Sequence, residues 1–413
     1  MTSNRKIYIG LDLEPNQDPA AVGILKLDRR GVVESSQFAY GKQFLANPSA
    51  FALNPDYLPL KDAPLAIPAQ RLRDGGAIPL TFRDALPDGW GRRMLEAQHG
   101  KNLDDIDALL LTNADRIGAM VFSKSLPIPT SNAEINLMPL DAMAQAVKNL
   151  ELSMEITPEM RRLLLRGGSL GGARPKATFI HEDRRWLAKF PAQGDDHDVE
   201  LLEKSTLDLA QKCGIDVSPS RLEKIHRGHA LLSLRFDRDG TIGQERRIHY
   251  LSASALLNVP YESSGGSYIE LAQVLRRISS NPAHDLGQLF RRMVFNLVID
   301  NTDDHVKNHG VLYAGNGQYK LAPAFDVVMQ LTNLGYQELA IKPGNHNSEI
   351  DLAIEAAPHF GINTEAGQNI IEMIANTAYE NLLPIIRKHG GDNALSKRAA
   401  KCFERQQGIV LKN

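Results

Sequence analysis

An aspartate and an asparagine five positions apart, Asp303 and Asn308 in VFNLVIDNTDDHVKN (294–308), give the strongest chemical signal in the chain. An apolar run breaks there into a polar cluster. A carboxylate so placed could orient a hydroxyl and accept its proton, while an asparagine carbonyl helps hold Mg²⁺ on phosphates. Asp304 has the same chemistry but the wrong interval to Asn308. Downstream, Asp326 in LAPAFDVV follows a short hairpin and offers a second Mg²⁺ ligand, although Val327 rather than a glycine comes after it. Upstream lies Gly167-Gly168-Ser169-Leu170-Gly171-Gly172-Ala173-Arg174-Pro175-Lys176. Glycines let backbone N–H groups approach phosphate oxygens, here across Leu170, Gly171, Gly172 and Ala173, and Lys176 adds positive charge. The spacing is not that of a Walker A loop. Lys189 ends an apolar strand, WLAKFP, and needs an anionic partner there. Glu203 on the next helix is the first choice and Glu200, one turn earlier, the alternative.

Glycine loop, strand lysine, helix glutamate, Asp-x4-Asn, hairpin and aspartate run in the order that protein kinases use for phosphoryl transfer from ATP. The elements that must position these residues are legible in outline. Residues 6–12 and 21–28 alternate as strands, a Pro- and Asn-rich loop spans about 47–70, and RRMLEAQ and 103–111 read as helices. RIGAMVFS suggests a strand that closes this first unit. A helix-rich connector (139–165) leads to strands at 177–181 and 185–190 joined by Glu182-Asp183. A helix over 198–213 and a buried strand over 229–236 follow. Beyond Ile248 the chain is mostly helical, apart from a hairpin turning at Gly315-Asn316-Gly317. These elements predict three parts: an N-terminal α/β subdomain (1–130), a lobe with the glycine loop and ATP lysine (131–240), and a helical lobe (241–413).

Composition bounds the alternatives. The chain has 413 residues, 43% hydrophobic and 23% charged, which fits several globular units. A formal net charge of -2 gives no sign of direct nucleic-acid binding. Cys213 and Cys402 belong to no CxxC pair, so reduced thiols are the simplest reading. No signal peptide opens the chain and no apolar run approaches the roughly 18 residues of a membrane span, so the expected location is the cytoplasm without membrane association. His226 and His229 read as surface residues, Trp90 and Trp186 as packing residues, and Arg161, Arg162 and Arg166 as a solvated helix face.

SLGGARPK, AKFP, LRFDR, NTDDHVKN and LAPAFDVV, with ALPDGWGRRMLE and ADRIGAM nearer the start, resemble the motifs of the HipA family of serine/threonine kinases, the toxins of bacterial toxin–antitoxin pairs. The resemblance covers nearly the whole chain. It implies an α+β, bilobal protein-kinase-like fold with an extra N-terminal subdomain and a mainly helical C-terminal lobe. It assigns Asp303 as catalytic base, Asn308 and Asp326 as Mg²⁺ ligands, and Lys189 to the ATP phosphates. Backbone groups of Leu234, Arg235 and Phe236 would hold adenine, with His305 near the nucleotide. Ser169 would be a regulatory autophosphorylation site. The implied partners are a HipB-like helix-turn-helix antitoxin, DNA mainly through it, and a protein substrate such as an aminoacyl-tRNA synthetase or another translation protein. Two departures stand out: Arg174-Pro175 replaces an expected Gln-Glu pair, and VVMQLTNLGYQ lacks a serine common after the aspartate.

Three other readings stay open. A kinase fold weak in catalysis could act as co-repressor with its antitoxin. Asp303, Asp304, His305, His309 and Asp326 could form the metal cluster of a hydrolase. The kinase could also act on a small molecule.

Overall fold

Alternation of apolar and polar residues along the first 40 positions builds an antiparallel sheet whose buried face carries Ile7, Ile9, Val22, Leu25, Leu27 and Phe38. The computed structural model describes residues 2–404 except 73–74, 88, 100–102, 113–114, 131–138, 153–173 and 333–334. The first sheet has the order β4-β3-β2-β1-β5, with β1 at Thr2–Leu11, β2 at Ala20–Arg30, β3 at Val33–Tyr40, β4 at Leu65–Arg71 and β5 at Met120–Ser123. Strand β4 falls inside the stretch expected to be a loop. It is a largely exposed edge strand carrying Pro68, so it lacks the alternation that marks β1–β3. Short helices α1 (Lys42–Leu45) and α2 (Leu80–Arg83) and helix α4 (Asp105–Leu111) cover the apolar face through Phe44, Phe82, Ile106 and Leu109.

Helix α3 (Gly89–His99) lies in the N-terminal part of the chain but packs elsewhere. With α5 (Leu140–Glu151) it covers one face of a second sheet, ordered β6-β7-β9-β8: β6 at Lys176–His181, β7 at Arg184–Lys189, β8 at Ser220–Lys224 and β9 at His229–Leu234. Trp90 and Met94 from α3, and Met143, Ala146 and Val147 from α5, meet Ala177, Trp186, Ala188 and Leu232. Strand residues alternate between faces, so Lys176, Lys189 and Leu231 belong to the opposite face. Helix α6 (Val199–Lys212) contributes Leu201, Leu202, Leu207 and Leu209 to one core with Leu231. Glu182 and Asp183, both at positive φ, form the β6–β7 turn.

The C-terminal lobe carries the largest core. It contains α7 (Ala253–Leu257), α8 (Tyr268–Ile278), α9 (Pro282–Val298), α10 (Ile350–Ala356), α11 (Thr364–Lys388) and α12 (Asn393–Ala400). The two-residue strands β10 (Arg238–Asp239) and β11 (Arg246–Arg247) pair with each other, and β12 (Tyr250–Ser252), β13 (Gly310–Gly315) and β14 (Gln318–Leu321) form a three-stranded sheet. The β13–β14 hairpin turns at Gly315-Asn316-Gly317, all at positive φ, as the glycines predict. Cys213 and Cys402 are buried and free. Among the described residues no helix is long and apolar enough to cross a membrane.

A buried ionic cluster fastens the N-terminal subdomain to the link between the lobes. Arg235 donates to both carboxylate oxygens of Asp237, at 3.0 and 2.7 Å, and to the carbonyls of Asp115 and Arg116. Arg238 also donates to Asp237 and to the Arg116 and Gly118 carbonyls. The Gly118 N–H donates to Asp237 at 2.8 Å. Arg185 reaches Asp115 and Glu245, and Arg247 reaches Asp12 and the Gly118 carbonyl. Burial alone would raise the Asp237 carboxyl, but Arg235 and Arg238 outweigh burial and hold it well below the usual carboxylate range. Removing one member of such a cluster leaves uncompensated buried charge. Asp237→Ala is therefore expected to cost about 3–5 kcal/mol of stability in denaturant melts. Because the folded-state pKa is depressed, this contribution is complete above the ordinary aspartate range and is lost as pH falls below about 4. The gap between wild type and Asp237→Ala should accordingly shrink as melts are repeated toward lower pH.

Candidate active site

Lys189 closes β7, so the chain brings its side chain to the interior edge of the sheet. Only 5% of Lys189 is exposed. Its Nζ donates to Glu203 Oε1 at 2.6 Å and to Asp326 Oδ1 at 2.7 Å. The choice left open between Glu203 and Glu200 is thus decided for Glu203. Burial works against the ammonium charge, but Asp326 and Glu203 outweigh it and raise the pKa above the ordinary lysine range. Lys189 in turn is the main cause that holds the Asp326 carboxyl well below its usual range, against burial and with help from Lys176. Lys176 and Lys189 are directly opposed in the β6–β7 register, and both are buried. Like charges opposed on a sheet repel unless anions sit among them, and the carboxylates of Glu203 and Asp326 act on both lysines.

Asp326 stands at φ 56, in the left-handed region that non-glycine residues seldom adopt. The surrounding contacts over-determine that conformation. Lys189 holds the side chain, and the Thr206 hydroxyl on α6 donates to the carbonyl of Val327, the next residue. Phe325 lies against Phe236 with ring centroids 5.2 Å apart. The absent glycine after Asp326 is therefore no obstacle, because the unusual backbone geometry falls on the aspartate itself.

The segment after α9 is held by a separate buried network. Asp304 accepts from the Tyr268 hydroxyl at 2.5 Å, and the ring Nε2 of His309 lies 2.9–3.0 Å from both its carboxylate oxygens. Burial opposes ionisation of Asp304, yet His309 and these hydrogen bonds keep its carboxyl below the ordinary value. Backbone bonds fix the rest: Leu339 N–H to the Asp304 carbonyl, Glu338 N–H to Thr302 and Ser254 N–H to Val306. Asp303 is left exposed beside this rigid frame. Partial burial of its carboxyl raises the pKa; His305 pulls the other way, and Asp326, Asp304 and Glu338 add to the rise. Asn308 Nδ2 donates to the Asp303 carbonyl at 3.3 Å. That orients the amide and leaves its oxygen, the atom a hard cation prefers, without a protein donor among the described residues. His305 meets Tyr261 edge-on at 4.5 Å and faces the charges of Asp303 and Asp326.

The structure therefore gathers Lys176, Lys189, Glu203, Asp303, His305, Asn308 and Asp326 into one charged cluster. Ser169, Leu170, Gly171, Gly172 and Ala173 lie outside the described residues, as do Arg161, Arg162 and Arg166. For Leu234, Arg235 and Phe236 the expectation narrows. The Leu234 and Arg235 N–H groups already donate to the Pro219 and Arg185 carbonyls, and the Arg235 side chain belongs to the ionic cluster. Of the three, only the Phe236 N–H has no backbone acceptor among the described residues. Asp304 and His309 engage each other, and among the described residues no group of three or more His, Cys, Asp and Glu side chains is arranged to hold a metal. His229 pairs with Asp198 at 2.7 Å, and Trp90 and Trp186 are core residues. Tyr268, Thr206 and Phe325 carry parts of the site that no spacing in the sequence signals.

Two lobes, a buried lysine shared between a helix glutamate and an aspartate after a hairpin, and an Asp-x4-Asn segment define a HipA-like variant of the protein-kinase fold. Family models match the HipA N-terminal domain over residues 17–123 and the HipA-like C-terminal domain over residues 168–382. The chain belongs to the HipA family. It is 27% identical over 344 residues to the Sinorhizobium fredii protein named "Putative kinase Y4mE", covering 79% of this chain and 78% of that one. A Haemophilus influenzae protein named "Putative kinase" is 24% identical over 250 residues, 53% of this chain and 72% of that one. Among solved structures, HipA in the Shewanella oneidensis complex of HipA, HipB and operator DNA superposes with a TM-score of 0.67 at 18% identity, covering 96% of both chains.

The Tyr268–Asp304 contact yields a direct test. Tyr268→Phe removes a hydrogen bond to a buried carboxylate, and such bonds contribute about 1.5–3 kcal/mol. Urea unfolding should show a loss in that range, whereas Tyr261→Phe, at an exposed ring, should change stability by less than about 0.5 kcal/mol.

Proposed function

We propose that this protein is an ATP-dependent serine/threonine protein kinase and the toxin component of a HipA/HipB-type pair. The observation that carries this reading is Lys189, buried and shared between Glu203 and an Asp326 that is itself near Asp303. Mg-ATP would supply the electrophilic γ-phosphorus. Lys176 and Lys189 suit its phosphate oxygens, and Asn308 and Asp326 offer oxygen ligands to Mg²⁺. Asp303, exposed and beside a fixed loop, would orient the acceptor hydroxyl and take its proton as the bond from the γ-phosphorus to the bridging oxygen breaks, ADP leaves and the phosphoryl group passes to the hydroxyl oxygen. Phe236 and Phe325 offer apolar surface to a purine near the link between the lobes.

Family membership and the kinase names of two relatives support the same reading. The Shewanella oneidensis protein was solved with HipB and operator DNA. By analogy the partner here would be a small helix-turn-helix antitoxin that carries most of the DNA contact, in keeping with a net charge of -2. Ser169 remains our candidate for autophosphorylation, since phosphate charge there would disturb a loop built around ATP phosphates.

Transfer of labelled γ-phosphate from Mg-ATP to the purified protein tests these roles. Asp303→Asn should lower labelling by at least about 10²-fold, the usual contribution of a positioned general base. Lys189→Met should also abolish it, and Ser169→Ala should remove most of the label. Full labelling of Asp303→Asn would overturn the mechanism.

A further inference from the structure

The structure gives Arg174, just ahead of β6, a definite set of contacts. Its Nη1 and Nη2 donate to the two carboxylate oxygens of Asp195 at 2.8 and 2.7 Å, and Nη2 also donates to Glu200 Oε1 at 2.8 Å. Asp195 is itself fixed, accepting from the Ala192 N–H at 2.7 Å. The neighbouring Pro175 carbonyl accepts from the Phe190 N–H at 3.0 Å, which closes the open end of the β6–β7 hairpin. Glu200 sits one turn ahead of Glu203 on α6 and is only 1% exposed; its Oε2 has no hydrogen-bond partner among the described residues. Arg174 and Lys189 are therefore held by glutamates three residues apart on the same helix.

We propose that Arg174 is a positioning residue for nucleotide binding. Two ion pairs, Arg174–Glu200 and Lys189–Glu203, fasten both open ends of the β6–β7 hairpin to α6. Lys176, two residues after Arg174, and Lys189, its partner in register, are thereby kept at a fixed separation and depth. The guanidinium acts through this scaffold, because its fork is engaged by Asp195 and Glu200. An arginine suits the position better than a lysine, because a planar fork can meet the Asp195 carboxylate through two parallel bonds. The proline that follows costs nothing in hydrogen bonding, since the Pro175 carbonyl is the group in use. This inference rests on the kinase reading of the charged cluster around Lys189.

The test compares wild type, Arg174→Met, Arg174→Lys and Asp195→Asn in equilibrium binding of a fluorescent ATP analogue with Mg²⁺, beside thermal melts. Arg174→Met should weaken binding about tenfold, equivalent to about 1.4 kcal/mol. Arg174→Lys should recover part of this loss, and Asp195→Asn should fall between. In the transfer assay the change should appear in KM for ATP, with kcat near wild type, because Asp303 lies in the other lobe. Should Arg174→Met fail to fold, Asp195→Asn carries the comparison. A wild type that binds nucleotide while every folded variant binds equally overturns the role of Arg174 alone. A uniform fall in kcat with unchanged KM overturns it as well. A wild type that binds no nucleotide overturns the kinase reading first, and this inference with it.

Discussion

One ammonium group joins the parts of this molecule that chemistry would need together. Lys189 Nζ is held by Glu203 from α6 and by Asp326 from the C-terminal lobe. Lys189 and Glu203 are buried while Asp326 keeps part of its side chain in water, so the ammonium depends on both carboxylates to offset its own burial. The position of α6 against its sheet and the unusual backbone of Asp326 are thus tied to the same three charges. Thr206 strengthens that link through its bond to the Val327 carbonyl.

Around this centre the protein uses buried polar clusters where many cores use apolar contacts alone. The Tyr268–Asp304–His309 group fixes the loop that presents Asp303. The Arg235–Asp237–Arg238 group holds the segment Asp115–Gly118 of the N-terminal subdomain against the link between the lobes. Such clusters specify geometry more narrowly than apolar packing, since hydrogen bonds weaken steeply with distance and angle. The N-terminal subdomain is accordingly part of the kinase-like body: α3 closes the outer face of the second sheet, and its loop engages the link.

Much of this was legible in the chain. Alternation located β1 and β2, the Glu182-Asp183 turn separated β6 from β7, an apolar run marked β9, and the Gly-Asn-Gly turn located the β13–β14 hairpin. The interval between Asp303 and Asn308, and the need of an apolar strand lysine for an anion, singled out residues that the fold gathers in one charged cluster. Strand β4 was missed because an exposed edge strand needs no apolar alternation. Tyr268 and Thr206 were missed because their partners are 36 and 121 positions away. The pairing of the Leu234 and Arg235 N–H groups with the Pro219 and Arg185 carbonyls was not visible in residue types.

The sequence by itself determined the inventory of chemical groups and their order along the chain, because periodicity, turn residues and charge in apolar runs are local properties. Only the tertiary structure decided which charge meets which. Glu200 and Glu203 are equivalent carboxylates one turn apart on a helix, and either could have faced Lys189. Sheet register and the angle of α6 put Glu203 on Lys189 and Glu200 on Arg174. Pairing of buried ions depends on separations of a few ångströms, set by packing between elements far apart in the chain.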